Sequence, residues 1–354
     1  LPENARPLAE PLRPLRLGLA GAGRFGQLHA AVLSRLPGVQ LLAVADPDPG
    51  ALQRTQLAHA VERSYGDALE LIADPDLDAV VLATPDEQHH HQALAALRRG
   101  RPLFLEKPLA ATWAEARQLE GVARAHQTWL QVGLVLRYDL SHRLLQQRIR
   151  AGVFGDLVSI RAQRNCSHSS FAAIADRIHT VFRTLTHDID LVLWLSGSRV
   201  RRVMATEYRQ GDQLSPQGCF ALLELANGCI AQLESSWYVP AQAPANIQGQ
   251  RAASCIDAEL AVVGTRQSAK LRWLDSPLQI WSPEGVQRPD TDLWPEVDGR
   301  VVGALAEQMA DFARAVRSGA PSAIADLGAA VEGLRIAEAI IESAATGQPV
   351  CLDP

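Results

Sequence analysis

The chain has 354 residues, 47% hydrophobic and 21% charged, about two domains' worth of ordinary globular composition, which excludes a disordered or fibrous polymer and a small disulfide- or metal-stapled scaffold. A formal charge of −5 lacks the basic excess that phosphate-backbone binding requires, so nucleic acid is not expected as a partner. Five cysteines (Cys166, Cys219, Cys229, Cys255, Cys351) contain no CxxC pair, no apolar run has the length of a membrane span, and the Pro-rich residues 1–15 hold no signal-peptide core. These features predict a soluble, cytoplasmic protein without a membrane partner.

Residues 16–21 (RLGLAG) are a short apolar run ending in glycine, and Phe25, Leu28, Val32 and Leu36 then recur at helical spacing: strand, tight turn, helix. A continuous apolar run at 39–46 (VQLLAVAD), the pattern of a parallel strand covered on both faces, ends in the turn DPDPG. Strands follow at 78–85, 102–108 and 129–137, with helices at 87–99 and 112–126, the latter opened by Thr112 with Glu115 three residues on. This alternation predicts a right-handed, doubly wound parallel α/β sheet over 16–137. Over 138–354 the rhythm changes to a helix at 140–151, a strand at 157–165 and a helix at 182–196, then closely spaced strands at 200–208, 218–225, 228–238, 255–264 and 269–274. Asn227-Gly228 is a hairpin signal, 241–250 (AQAPANIQGQ) has the composition of a flexible loop, and helices at 301–317 and 326–345 close the chain. The second domain is therefore expected to be α/β, built on a mainly antiparallel open sheet.

GAGRFG (21–26) is a GxGxxG turn between the first strand and helix: Gly21 permits the turn, Gly23 admits a pyrophosphate, Gly26 lets helix approach strand, and Arg24 and Phe25 lie with them at the cofactor. Asp46 ends the next strand 20 residues past Gly26, where a carboxylate binds the adenosine ribose hydroxyls and repels a 2′-phosphate, favouring NAD over NADP. A glycine turn that binds nothing is the plain alternative.

FLEKP (104–108) places Lys107 at the carboxyl end of a strand, where ligands of open α/β sheets gather. Only two of the 34 basic residues are lysines, Lys107 and Lys270, and an ammonium can lose its proton near neutral pH whereas a guanidinium cannot. That scarcity points Lys107 toward chemistry; a solvated lysine is the bland reading. In TPDEQHHH (84–91) consecutive histidines on a helix point apart, so no metal is expected; Thr84 and His89 are expected to face the cofactor and the other two histidines solvent or packing. Arg183, His187 and Asp190 share one face of the helix containing THDIDLVLWL (186–195), which points to a site, a satisfied N-terminal turn being the alternative.

With GAGRFG, VADPD, ATPDEQH, EKPLA, Arg137 in VLRYD, and HDIDLVLWL in this order, the chain from about 16 to 350 resembles the glucose-fructose oxidoreductase, inositol dehydrogenase and MocA-like family. The resemblance implies an N-terminal Rossmann domain with bound NAD(H) or NADP(H), and a C-terminal α/β domain whose open sheet joins a homodimer or homotetramer. It implies that Gly21, Gly23 and Gly26 hold the dinucleotide, Asp46 its ribose, and Thr84, Pro85 and His89 its nicotinamide half. Glu106 and Lys107 match the family's EKP, in which the lysine transfers a proton; His187 matches the second catalytic residue, and Asp190 the acid after it. Arg137, Arg183 and Asp190 are the expected substrate contacts. One departure matters: the family pattern has an aspartate four residues before the histidine, and here Arg183 stands there. Either Arg183 pairs with an anionic substrate, or it turns away and the substrate hydroxyls are handled differently.

The expected function is hydride transfer between nicotinamide C4 and a CH–OH or C=O carbon of a sugar, polyol or related small molecule, Lys107 being general base and His187 sharing or relaying the proton. Two alternatives stand beside it: a nicotinamide-binding sensor with little catalysis, and a reductase of an imine, tetrapyrrole or dihydrodiol on the same scaffold.

Overall fold

The computed structural model describes residues 13–352 apart from 173, 241, 242, 245, 247–254, 274–277, 284 and 326, so the first twelve residues and most of the 241–250 loop lie outside the described residues. The first half alternates as its apolar runs demand: β1 (Leu15–Ala20), α1 (Arg24–Leu33), β2 (Val39–Ala45), α2 (Pro49–His59), β3 (Arg63–Tyr65), α3 (Ala68–Ala73), β4 (Ala79–Leu82), α4 (His89–Arg98), β5 (Leu103–Leu105), α5 (Trp113–Ala125) and β6 (Leu130–Val132). The sheet order is β3-β2-β1-β4-β5-β6, all parallel. Strands β4, β5 and β6 are buried along their whole length, because helices cover both faces. The order reverses between β1 and β4, the switch point outside which ligands bind in such sheets. The polar edge strand β3, with no apolar run to announce it, was not expected. Helix α5 opens on the expected capping box, Thr112 with Glu115.

The second half contains α6 (Leu140–Arg150), β7 (Leu157–Ser167), α7 (Thr186–Ser196), β8 (Val200–Tyr208), β9 (Gly218–Leu225), β10 (Ile230–Val239), β11 (Ile256–Gly264), β12 (Ser268–Trp273), two short hairpins β13–β14 (Ile280–Ser282, Gly285–Gln287) and β15–β16 (Glu296–Val297, Arg300–Val301), then α8 (Ala304–Ser318), α9 (Leu327–Thr346) and β17 (Val350–Cys351). Its sheet runs β12-β11-β7-β10-β9-β8-β17, antiparallel except where β10 lies parallel to β7. It is mixed in that one pairing, since the chain between β7 and β8 crosses over through α7. Alternation along β9 and β10 sends Ala221, Leu223, Ala231 and Leu233 into the core and leaves Phe220, Leu222, Ile230 and Tyr238 exposed on the other face.

The two halves are not separate in packing. One buried cluster joins Leu17, Val44 and Phe104 of the parallel sheet to Val192, Leu223 and Phe312, and a second places Ala330, Val331 and Leu334 of α9 beside Leu105, Leu119 and Val132. The helix that closes the chain thus covers one face of the first sheet, so the division at 137/138 separates chain order more cleanly than it separates cores.

Candidate active site

The glycine turn has the shape that a diphosphate needs. Gly21 sits at φ +95°, and a Cβ on it would lie 2.4 Å from the Ala83 carbonyl oxygen; one on Gly26 would lie 1.9 Å from the Gly21 carbonyl oxygen. Neither position admits another residue without backbone movement. A Cβ on Gly23, by contrast, would meet nothing within 4 Å, so the turn is open on the side where a pyrophosphate approaches the N-terminus of α1. The Asp46 carboxylate accepts from the Ala22 N–H at 2.7 Å and the Asp48 N–H at 2.9 Å, which fixes it beside the turn. Each of its oxygens keeps a lone pair for a ribose hydroxyl.

Beyond the turn lies a cavity of about 320 Å³, walled by Arg24 and Phe25 of α1, Glu106 and Lys107 after β5, Arg164 and Cys166 of β7, Arg183, His187, Trp237 and Trp294. Phe25 and Trp294 meet edge to face at 5.4 Å, so the wall joins the two halves of the chain. Lys107 and His187, 80 positions apart in the sequence, border this cavity together and also a smaller void of about 20 Å³. Burial, then the Arg183 charge, lowers the Lys107 ammonium to about 8. Burial, then the charges of Lys107, Arg164 and Arg183, holds the His187 imidazole well below its ordinary value, hence neutral at physiological pH.

Glu106 faces the same cavity but is held from behind. His29, wholly buried on α1, brings Nε2 to 2.8 Å from its Oε1, and the Lys107 N–H donates to its Oε2 at 3.2 Å. Arg164 donates from Nε and Nη2 to the two oxygens of Asp188, both at 2.9 Å.

Several expected site residues are placed otherwise. Arg137 is 2% exposed, absent from the cavity wall, and donates to Asp190 from Nη2 at 2.6 Å and Nε at 3.0 Å and to the Ile324 carbonyl from Nη1 at 2.7 Å. Asp190 borders the smaller void together with Lys107 and His187 and not the larger cavity, and its ion pair with Arg137 ties α7 to the chain after β6. His89 is also withdrawn: at 1% exposure its Nδ1 stands 2.7 Å from the Pro108 carbonyl and its Nε2 2.9 Å from the Thr84 carbonyl. It fastens the loop after β4 to the loop after β5. Thr84 donates to the Gln92 side chain at 2.6 Å, and Pro85 is exposed beside it. The consecutive histidines diverge as expected, His90 reaching Gln118 at 2.8 Å and His91 standing exposed.

Sequence reasoning missed Arg164, Cys166 and Trp237. A signal existed for the first: Arg164 occupies the same alternation phase as Ile160 and Ala162, the core-facing side of β7, where an arginine needs a partner or a ligand. Nothing local marked Trp294 or His29.

A Rossmann sheet with an open glycine turn, an aspartate fixed beside it at the end of β2, and a lysine and a histidine on one cavity wall are the features of an NAD-binding oxidoreductase. Residues 15–134 match the oxidoreductase family with an NAD-binding Rossmann fold (GFO_IDH_MocA), and residues 146–352 match its C-terminal alpha/beta domain, so the chain belongs to the Gfo/Idh/MocA family. It is 33% identical to inositol 2-dehydrogenase of Acidothermus cellulolyticus over 230 residues, 63% of this chain and 67% of that one. It is 30% identical to the rhizopine catabolism protein MocA of Rhizobium meliloti over 336 residues, 92% and 94% of the two chains. The structure of scyllo-inositol dehydrogenase from Lactobacillus casei with bound cofactor NAD(H) and scyllo-inositol superposes with a TM-score of 0.80 at 21% identity, over 96% of this chain and 99% of that one, a likeness of fold.

Proposed function

We propose that the protein oxidises a secondary carbinol of a polyol or sugar, or reduces the matching ketone, with Lys107 as general acid–base and His187 hydrogen-bonded to the same oxygen. When bound, NAD supplies the hydride acceptor at its nicotinamide. Gly21, Gly23 and Gly26 cradle its diphosphate and Asp46 its ribose, while Thr84 and Pro85 border its nicotinamide side. Neutral Lys107 takes the hydroxyl proton through its Nζ lone pair, and neutral His187 donates or accepts at the same oxygen without adding charge. Phe25, Trp237 and Trp294 exclude water from the reacting centre.

The observation that carries this reading is the meeting of Lys107 and His187 on one cavity wall beside the glycine turn. The inositol dehydrogenases among the relatives support a polyol or sugar as substrate class. Mixing purified protein and NAD with inositols, hexoses and their acids, and following NADH absorbance, tests it. Turnover that Lys107→Ala abolishes is expected, whereas NADH binding without turnover of any member favours a sensor.

The assembly we propose is a homodimer or homotetramer through the open face of the second sheet, where Met204, Tyr208, Phe220, Leu222, Ile230 and Tyr238 are all at least 40% exposed. Five unpaired thiols support a reducing, cytoplasmic setting.

A further inference from the structure

The charges around the cavity do not balance. Among the described residues, Arg24, Lys107, Arg164 and Arg183 border it, against a single carboxylate, Glu106. Most of these have a counterpart. Arg164 is paired with Asp188, Glu106 is engaged by His29, and Lys107 gives up its proton in the reaction proposed above, with the Glu106 charge acting on it. Arg24 belongs to the glycine turn, beside the place of the cofactor's diphosphate.

Arg183 has none. It is exposed to the cavity, and among the described residues no hydrogen bond or ion pair reaches its guanidinium. It lies in a π-helical turn, Val181–Leu185, that leads directly into α7. Such wide turns are rare and cluster at functional sites. Arg183 lines the cavity, and its charge acts on Arg24, Lys107, Cys166 and His187 around it. A planar fork with five donors, unpaired among other cations, matches two oxygens of an anion.

We propose that the substrate carries an anionic group, a carboxylate or a phosphate, which Arg183 binds while the carbinol carbon faces Lys107 and His187. The placing of the carbinol carbon rests on the dehydrogenase function proposed above, whereas the pairing of Arg183 with an anion does not. A sugar acid or a sugar phosphate of the same ring differs from its neutral parent only in the group presented to Arg183, so matched pairs isolate the interaction.

The test uses NADH-loaded protein and calorimetric titration with D-glucuronate, D-galacturonate, D-glucose 6-phosphate and myo-inositol phosphate, each against its neutral parent, together with NAD-dependent turnover of the same set. At least one anion should bind about 10- to 100-fold more tightly than its parent, the carboxylate and phosphate arms telling which group is read. Arg183→Gln should remove that preference by bringing the anion's affinity down toward its parent's, and Arg183→Lys should restore part of it. A folded Arg183→Gln protein with undiminished anion preference overturns the proposal, as does equal or better binding of every neutral parent. Turnover of neutral polyols without anion preference removes Arg183's role and leaves the dehydrogenase standing. Anion binding lost in Arg183→Gln with no turnover of any member keeps the pairing and removes the polyol chemistry.

Discussion

The Lys107 assignment makes a quantitative demand on the pH profile. With its ammonium lowered to about 8, about a tenth of the lysine is neutral at pH 7 and about nine tenths at pH 9. The neutral form is the base in alcohol oxidation, so kcat/KM should climb roughly tenfold from pH 7 to 9 and level above. A lysine left at its ordinary value would give roughly a hundredfold rise over the same interval with no plateau. Ketone reduction needs the protonated form, so its profile should be the mirror image, falling as pH passes 8. Arg183 is the second cause of the lowering, after burial; replacing it with glutamine therefore moves the rising limb to higher pH, and each unit of movement costs about tenfold in activity at pH 7. Lys107→Ala should cut turnover about 10²-fold or more with NADH affinity retained. The assay is initial rate of NADH formation at saturating NAD between pH 6 and 10, with NADH fluorescence titration as the binding control. A limb centred at pH 10 or above, or an identical limb in Lys107→Ala, would refute the reasoning.

Asp190→Ala leaves the Arg137 guanidinium buried with its carboxylate gone, and breaking such a pair costs about 3–5 kcal/mol, read as a fall in denaturation midpoint; an unchanged midpoint with raised substrate KM would return Asp190 to the substrate site. Asp46→Ser should raise the KM for NAD about tenfold and narrow its advantage over NADP, measured in parallel with both cofactors, and unaltered discrimination would remove Asp46 from the ribose. Phe220→Glu with Leu222→Glu places charges on the open face of the second sheet and should shift sedimentation toward the monomer, whereas an unmoved sedimentation coefficient would exclude that face from the assembly.

What local pattern could determine, it did. The apolar runs of β1, β2 and β4, the glycines at 21, 23 and 26 and the Thr112–Glu115 box each announce themselves within a few residues, because strand burial, turn conformation and helix capping depend on near neighbours in the chain. The position of Lys107 followed from the same information, since a strand's carboxyl end is a local property and its chemical rarity is a count. Tertiary structure decided which polar groups answer to each other. Arg137 and Asp190, 53 residues apart, are expected at the site from the family resemblance and, for Asp190, from the helix face it shares with His187; only the fold shows that they form an ion pair with each other. His89 likewise spends both ring nitrogens on carbonyls from two loops, and Arg164 reaches the cavity because β7 lies between β10 and β11. Helix α9 packs on the first sheet from the far end of the chain. A charge carries no record of its partner in its own neighbourhood, and its role is set by the groups that folding brings within a few ångströms of it.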